Sequence, residues 1–461
     1  MTKPQSLAPH TVETARTELF LLVARAIADP RARHATDRFA LLAARLAAAD
    51  EDWTARLCRW TGRLPALRRL RLALVAELAY ARAGGTRRFV ARSLTRADEP
   101  GELLDYWLRR FGRALPQPVK RGVADAAVRL YDELALATHD SPGAPLRFAD
   151  VLALTHPSPR DRVQAAVFAH AVGRRRGTTG EIPEELPILR ARRALYWVPA
   201  ARRPHLLETP EAAHRLAGAA MPWPTVERWL LGSMTAAAWQ VVLPGMPYRD
   251  RLAHLRDFDR LGVPSAHLAD ELAEPAQVVT SGVTPLEVVA ALHAPPGSRW
   301  TWALRQAAQM SLAAVPALPG RTLVVVDRTT VMAGPAWPGA LLTRGAAAAV
   351  FAAALTARAG SADLVAFGTA PARLPVKPGE PLLTTLGRFA PLEGDAEPDR
   401  VIREHFDGHD RLVVLTHPDR AGAVADAVTA PAQEHVITQV SAGWFAALPY
   451  IEMARTADWP F

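Results

Sequence analysis

Apolar residues recur three and four positions apart through most of this chain, beginning with Val12–Ala28 (VETARTELFLLVARAIA). That spacing lines up one face of an α-helix. It predicts helices over Val12–Ala28, Arg38–Ala48, Leu64–Arg82, Glu99–Phe111 and Val119–Leu136. The pattern continues over Arg160–Val172, Pro210–Ala219, Thr225–Trp239, Arg249–Leu261, Pro285–His293 and Trp300–Ala313. The connectors are short and carry Pro or Gly (ALPQP, SPGAP, LPGMP, APPGS), and period-two alternation is almost absent. Helix pairs with short links and no strands predict an all-α, HEAT-like solenoid, although the repeat length is irregular.

The period changes after AVPALPG (Ala314–Gly320). Thr322–Val326 (TLVVV) is a short β-branched run of the kind found in buried parallel strands. Further strands are expected over Asp363–Phe367, Arg411–Thr416 and Val436–Val440. Helices are expected between and after them, over Gly345–Arg358, Leu382–Phe389, Arg400–Phe406, Ala421–Val428 and Leu448–Arg455. Alternating strands and helices predict an α/β doubly wound sheet, with ligands beyond the carboxyl ends of its strands. The expected division is therefore residues 1–316, helical, and 317–461, α/β.

Charge is divided along the same line. The whole chain carries +9, yet residues 317–461 hold 12 basic against 15 acidic side chains, leaving +12 on the first 316. Arginine outnumbers lysine 52 to 3, which by itself reads as the codon preference of a GC-rich genome. A basic helical part joined to a mildly acidic α/β part fits a polyanion partner for the first part only. The single cysteine, Cys58, excludes an internal disulfide framework and fits a reducing, cytoplasmic setting. The N-terminal stretch lacks the apolar core of a secretory signal, and no apolar run is long enough to span a bilayer, so no membrane association is expected.

Asp327 closes the first expected strand in VVVDRTTVM. The pattern resembles the first loop of the metal-ion-dependent adhesion site of von Willebrand A-type domains, where a carboxylate and two hydroxyls offer hard oxygen ligands to Mg²⁺. Here Thr329 can replace the first hydroxyl, but Val331 stands where the second belongs. His417 follows Thr416 where that pattern has Asp, and Leu392–Pro398 (LEGDAEP) lacks the expected Thr. The site reads as a degenerate one. The only cofactor it leaves room for is a weakly held divalent cation such as Mg²⁺ at Asp327 and Thr329. The bland alternative is that Asp327 caps the strand end or pairs with Arg328.

The helical part runs into MSLAAVPALPGRTLVVVD (Met310–Asp327). Together with RADEPGELLDYW (Arg96–Trp107), PQPVKRGVADAA (Pro116–Ala127), RFADVLALTH (Arg147–His156) and the terminal ADWPF, this string resembles a TROVE module joined to an A-type domain. That is the architecture of the Ro ribonucleoprotein family, including its bacterial members, and the resemblance extends from about Glu13 to Phe461. It implies a closed ring of helical repeats whose basic outer face binds small Y-class RNAs. It also implies a central hole that takes the 3′ ends of misfolded RNAs, and work alongside an exoribonuclease in RNA quality control. His156, ending LALTH, matches the family histidine that contributes to Y RNA binding. Thr138–Gly143, where the family carries a basic pair, has neither Lys nor Arg here.

Lys120 and Arg121, in PVKRG at a helix start, are candidates for phosphate contacts, and Arg109, Arg110 and Arg113 form a basic cluster just before them. Each also has an ordinary reading as a solvated helix face, and His156 one as a packed residue of the repeat. The run Arg174–Arg176 is accounted for by the dipole at a helix end. An alternative function is a protein-interaction scaffold that has lost RNA binding. An enzyme is disfavoured. No nucleophile–base pair, phosphate loop or zinc spacing is present, and His405, His409 and His417 match no metal motif.

Overall fold

The computed structural model describes residues 9–461 apart from 83–84, 179, 265–266, 294–297, 426 and 428–432. Residues 294–297 of the connector APPGS, and residues 426 and 428 of the helix expected over Ala421–Val428, lie outside the described residues. The chain forms two compact units. One comprises residues 1–26, 30–245 and 457–461, and the other residues 27–29 and 246–456. The switch from helix to strand falls at Leu318, whereas the units part at Gly245, so the helices of 246–316 group with the sheet.

The first unit is helical throughout its described residues. In chain order its helices are α1 (Pro9–Ala28), α2 (Asp37–Ala49), α3 (Glu51–Thr61), α4 (Arg68–Ala81), α5 (Thr86–Ser93), α6 (Glu99–Phe111), α7 (Gln117–Leu130) and α8 (Glu133–His139). They continue as α9 (Phe148–Thr155), α10 (Arg162–Arg176), α11 (Pro187–Trp197), α12 (Arg203–Leu206), α13 (Ala212–Gly218), α14 (Trp223–Trp229) and α15 (Ala236–Val242). Packing largely joins helices two apart in sequence: α2 on α4, α4 on α6, α5 on α7, α7 on α9, α11 on α13. This is the step of a helical repeat.

Several expected boundaries shift for local reasons. Val119–Leu136 is two helices, because Asp132 accepts the Ala135 N–H at 2.7 Å and starts a new one. Thr225–Trp239 divides at Leu231 and Gly232, both with positive φ. The α11 helix, with three Arg among its eleven residues and only Leu189 and Leu195 buried, was not expected. Gly122 has a specific role: a Cβ there would lie 2.7 Å from the Arg87 carbonyl oxygen and 2.9 Å from the Val90 Cβ, so α5 and α7 meet only because it has none.

Charged groups are built into this interior. Arg71 and Glu99, both almost fully buried, form an ion pair, and Glu99 also accepts the Thr95 N–H at 2.6 Å. Burial would push the Asp98 carboxyl up, but hydrogen bonds from Arg96 and Arg68 outweigh it and hold Asp98 well below the usual carboxylate range. Much of RADEPGELLDYW therefore encodes ion pairing and the buried Trp107. The terminal ADWPF belongs to the same unit. The Trp459 ring lies 5.3 Å from both Phe20 and Trp53, and Phe461 lies 5.6 Å from Trp53. Edge-on aromatic packing of this kind adds to area burial.

The second unit carries a five-stranded sheet of order β3-β2-β1-β4-β5. The strands are β1 (Leu318–Asp327), β2 (Ala359–Phe367), β3 (Pro371–Leu374), β4 (Arg411–Leu415) and β5 (Gln433–Ile437). All pairings are parallel except β2–β3, an antiparallel edge that the sequence pattern did not announce. The fold class expected from the sequence, helical repeats followed by an α/β domain, is the one observed. The last six residues of β1 are buried without a break, which is why it reads as a continuous apolar run instead of an alternating one. The helix Arg344–Arg358 packs on β1 and β2 with ten consecutive buried residues, Ala347–Thr356. On the other side Leu323, Val325, Val365, Leu412 and Val414 form a core with Val401 and Ile402.

Candidate nucleic-acid interface

The basic residues singled out between Arg109 and Arg121 lie along one corner of the helical unit. α6 ends at Phe111, Gly112 takes the left-handed φ of 84° that reverses the chain, and Pro118 sits in the first turn of α7, where its missing N–H costs nothing. Their charges are not equally available. Arg109 is exposed but pairs with Asp105 at 2.5 Å. Arg110 donates to Glu77 at 2.9 Å, and Tyr106 donates to the same oxygen at 3.0 Å. Burial pushes the Glu77 carboxyl up against the opposing pull of Arg110, so that guanidinium is committed to neutralising a buried group.

Arg113, Lys120 and Arg121 meet no carboxylate among the described residues; Arg113 and Arg121 are exposed and Lys120 is half-buried. Two arginines outside the expected set extend this face. Arg88 and Arg92 of α5 are exposed and line a groove with Pro118 and Asp125 of α7. Arg87 in the same groove is held by Asp125 at 2.7 and 2.8 Å. Tyr80 was also missed. It is 60% exposed and stacked on Phe111 at 4.3 Å with an interplanar angle of 2°, and Arg110 lies over the same Phe111 ring. Arg88, Arg92 and Tyr80 carry no sequence signal of their own, because only the packing of α5 on α7 and of α4 on α6 brings them to this corner.

His156 is not part of that corner. It is the residue after α9, with φ 50° and ψ 55°, and its N–H bonds to the Leu152 carbonyl. A left-handed cap is normally Gly or Asn, and a side chain with a Cβ there costs about 1–2 kcal/mol. The imidazole is exposed on a shallow groove formed with Leu152, Pro157, Phe168, Val172 and Arg176. The run Arg174–Arg176 is thus divided among three tasks. Arg174 pairs with Asp140, Arg175 donates to Asp150 at 3.0 Å, and Arg176 lies beside His156.

The strand-end residues of the second unit form a closed hydrogen-bonded set. Asp327 and Thr416 stand at the carboxyl ends of adjacent β1 and β4, where the strand order reverses. Asp327 is fully buried. Its Oδ1 accepts the Thr329 N–H at 2.9 Å and hydroxyl at 2.6 Å, and its Oδ2 accepts the Thr416 hydroxyl at 2.7 Å. The Leu392–Pro398 loop lies against this turn through the Glu393 N–H to Arg328 carbonyl bond at 2.9 Å. Arg328 donates to the Gly345 and Ala390 carbonyls. Val331 points to solvent, and His417 bonds the Asp419 N–H. One carboxylate with two hydroxyls already turned toward it falls short of the six or so oxygens a hard divalent ion requires.

Among the described residues no group of three or more His, Cys, Asp or Glu side chains is placed to hold a metal ion. The three histidines noted in this region have separate partners. His405 meets the Val401 carbonyl, His409 is buried on Asp363 at 2.9 Å, and His417 caps the short turn that follows it. No helix among the described residues is long and apolar enough to cross a membrane.

No family model matches the chain, and no curated protein matches it in sequence. Among solved structures it is similar to the crystal structure of the Ro (RSR) protein of Deinococcus radiodurans. The TM-score is 0.69, 92% of this chain and 94% of that one are covered, and the identity is 18%. What the long sequence strings led one to expect is thus met at the level of fold: helical repeats followed by an α/β domain, similar to the fold of a bacterial Ro protein.

Proposed function

We propose that this chain is an RNA-binding protein of the Ro type, holding small noncoding or misfolded RNA by its phosphates along the α5–α7 face. The observation that carries the reading is the availability of charge. Arg88, Arg92, Arg113, Lys120 and Arg121 present cations with no carboxylate partner among the described residues, next to the exposed Tyr80. Guanidinium forks suit phosphate oxygens, and an exposed ring gives a base a stacking surface. Arg109 and Arg110 contribute less, because each is held by a carboxylate. His156 and Arg176 add a second, smaller contact at their own groove.

Filter binding of a structured small RNA across ~50 to ~300 mM salt tests this, with affinity expected to fall log-linearly. Replacing Arg113, Lys120 and Arg121 by Gln together should lower the salt slope by about 2 and weaken binding at the lower salt by about a hundredfold. Purification from native lysate gives a second readout: RNA should copurify with the wild type and be depleted in the triple variant. Protein partners recovered without RNA, from a chain whose RNA binding is absent at low salt, would favour the scaffold reading instead.

A further inference from the structure

A cleft in the helical unit that shares no residue with the α5–α7 face has the chemistry of a small-ligand site. It opens between α10, α11 and α14, with a volume of about 700 Å³, within the range of sites that hold cofactor-sized molecules. Its wall carries Arg174, Arg192, Arg193 and Arg228, with His170 and Tyr196 beside them. The single carboxylate in the lining is Asp140. Its side chain is only 1% exposed and is shared between Arg147 at 2.6 Å and Arg174 at 3.3 Å. Arg192, Arg193 and Arg228 have no carboxylate partner among the described residues.

Arg192 is held rigidly. Its guanidinium donates to three main-chain carbonyls, those of Ala137, Ala219 at 3.1 Å and Ala220 at 2.5 Å. Those bonds orient the cation without neutralising it. Burial pushes the Arg192 guanidinium below its ordinary value, against the opposing pull of Tyr196, and the nearby Arg174 and Arg228 push the same way as burial. Arg174 is lowered too, by burial first, against the pull of Asp140. An anion placed among half-buried cations that repel one another would relieve that repulsion and favour their charged forms. His170 is lowered by burial and by Arg174 and Arg193, so its imidazole is neutral at pH 7 and can exchange hydrogen bonds with a hydroxyl.

The remaining wall is not that of a plain anion hole. Tyr196 is 46% exposed at the cleft, and Ile182, Leu189 and Pro222 supply apolar surface. Arg193 also lies 5.5 Å from the ring of Trp197, which is 78% exposed just outside. A compact anion would leave the tyrosine face unused, whereas a phosphate attached to a flat ring would cover both.

We propose that this cleft binds a nucleoside phosphate, with the phosphate among Arg192, Arg193 and Arg228, the base on Tyr196, and a ribose hydroxyl within reach of His170. The ligand's source is either a free mononucleotide or one nucleotide of an RNA chain. Only the second depends on the RNA-binding reading above, since the cleft shares no residue with the α5–α7 face.

Equilibrium dialysis of the full chain with 5′-AMP, adenosine, inorganic phosphate and a single-stranded RNA decamer tests the proposal. Arg228→Gln and Tyr196→Ala are the informative variants. Arg228 holds only the Thr225 hydroxyl, at 3.4 Å, and the Tyr196 side chain is exposed, so both should fold. Saturable AMP binding is expected, tighter than that of phosphate or adenosine. Arg228→Gln should weaken it about tenfold and Tyr196→Ala about fivefold, while Arg121→Gln leaves it unchanged. Parallel loss of decamer affinity in the two variants would identify the ligand as a link of an RNA chain; loss of AMP alone would identify a free nucleotide. No saturable AMP binding up to ~5 mM, equal binding by wild type and both variants, or adenosine binding as tightly as AMP would overturn the proposal. RNA binding that survives in these variants and is lost in the Arg113/Lys120/Arg121 variant leaves the α5–α7 reading standing on its own.

Discussion

The two units use charge in opposite ways. On the α5–α7 face of the helical unit, Arg88, Arg92, Arg113, Lys120 and Arg121 present cations that no carboxylate answers among the described residues. At the strand switch point of the α/β unit, the one carboxylate, Asp327, is consumed by three donors from its own loops. A residue type that marks a ligand site in a motif is available to a ligand only if the fold leaves it unsatisfied. By that criterion the cations of the helical face are left unsatisfied among the described residues, whereas the carboxylate at the strand end is satisfied within its own loops.

The largest effect that sharpens this contrast is expected from Asp327→Ala. It leaves the Thr329 N–H and two buried hydroxyls without an acceptor, at a cost of about 3 kcal/mol. Urea unfolding should show that loss while RNA affinity is unchanged; an unaltered midpoint would mean this hydrogen-bonded set is not structural.

Acidification should act next, through His435. Burial holds its imidazole below the ordinary histidine value, against the opposing pull of Glu452 at 2.9 Å. The folded chain therefore binds this proton more weakly than the unfolded chain. Stability is complete above about pH 6.5 and is lost as the pH falls from there toward the folded value. Glu452 does not add to that window. Burial would raise it, but Arg411 and His435 bring it to about 2, so its contribution is lost progressively as the pH falls from about 4.5 toward 2, below that window. Unfolding midpoints measured between about pH 7.5 and pH 5.5 should decline, and His435→Gln should flatten the decline. A slope unaffected by that change would point to His170 instead.

A smaller effect separates backbone from contact at His156. Glycine suits its left-handed conformation, so His156→Gly should stabilise the chain by about 1 kcal/mol. Loss of the imidazole should weaken RNA binding about fivefold at the same time. A variant that gains stability and keeps full RNA affinity would remove His156 from the interface. The smallest expected effect is that of Mg²⁺. At ~5 mM it should stabilise the wild type by under about 0.3 kcal/mol, as for a site with a Kd above ~10 mM. A clear rise in thermal midpoint would reopen the strand end as a ligand site.

The helical part and the sheet were both legible in the spacing of apolar residues, because burying one face of a helix or both faces of a parallel strand leaves a distinct period. The antiparallel edge strand β3, with no buried residue, left no such period, and the Arg-rich α11, which buries only Leu189 and Leu195, was not read as a helix. At the candidate interface, Lys120 and Arg121 were marked by their string. Arg110 was marked equally well, yet its guanidinium faces Glu77, 33 residues earlier. His156 was legible as a residue but not as a strained cap, since nothing in LALTH announces a positive φ.

By itself, the chain's pattern of apolar and basic residues determined that helices precede an alternation of strands and helices, the point where one period gives way to the other, and which part carries the positive charge. These follow from local spacing and from sums over residues, neither of which requires knowing who meets whom. The tertiary structure alone decided which charges remain free. It answered Glu77 with Arg110, closed Asp327 on Thr329 and Thr416, and gathered arginines from three helices around Tyr196. Neutralisation is a contact across tens of residues of chain, set by packing geometry.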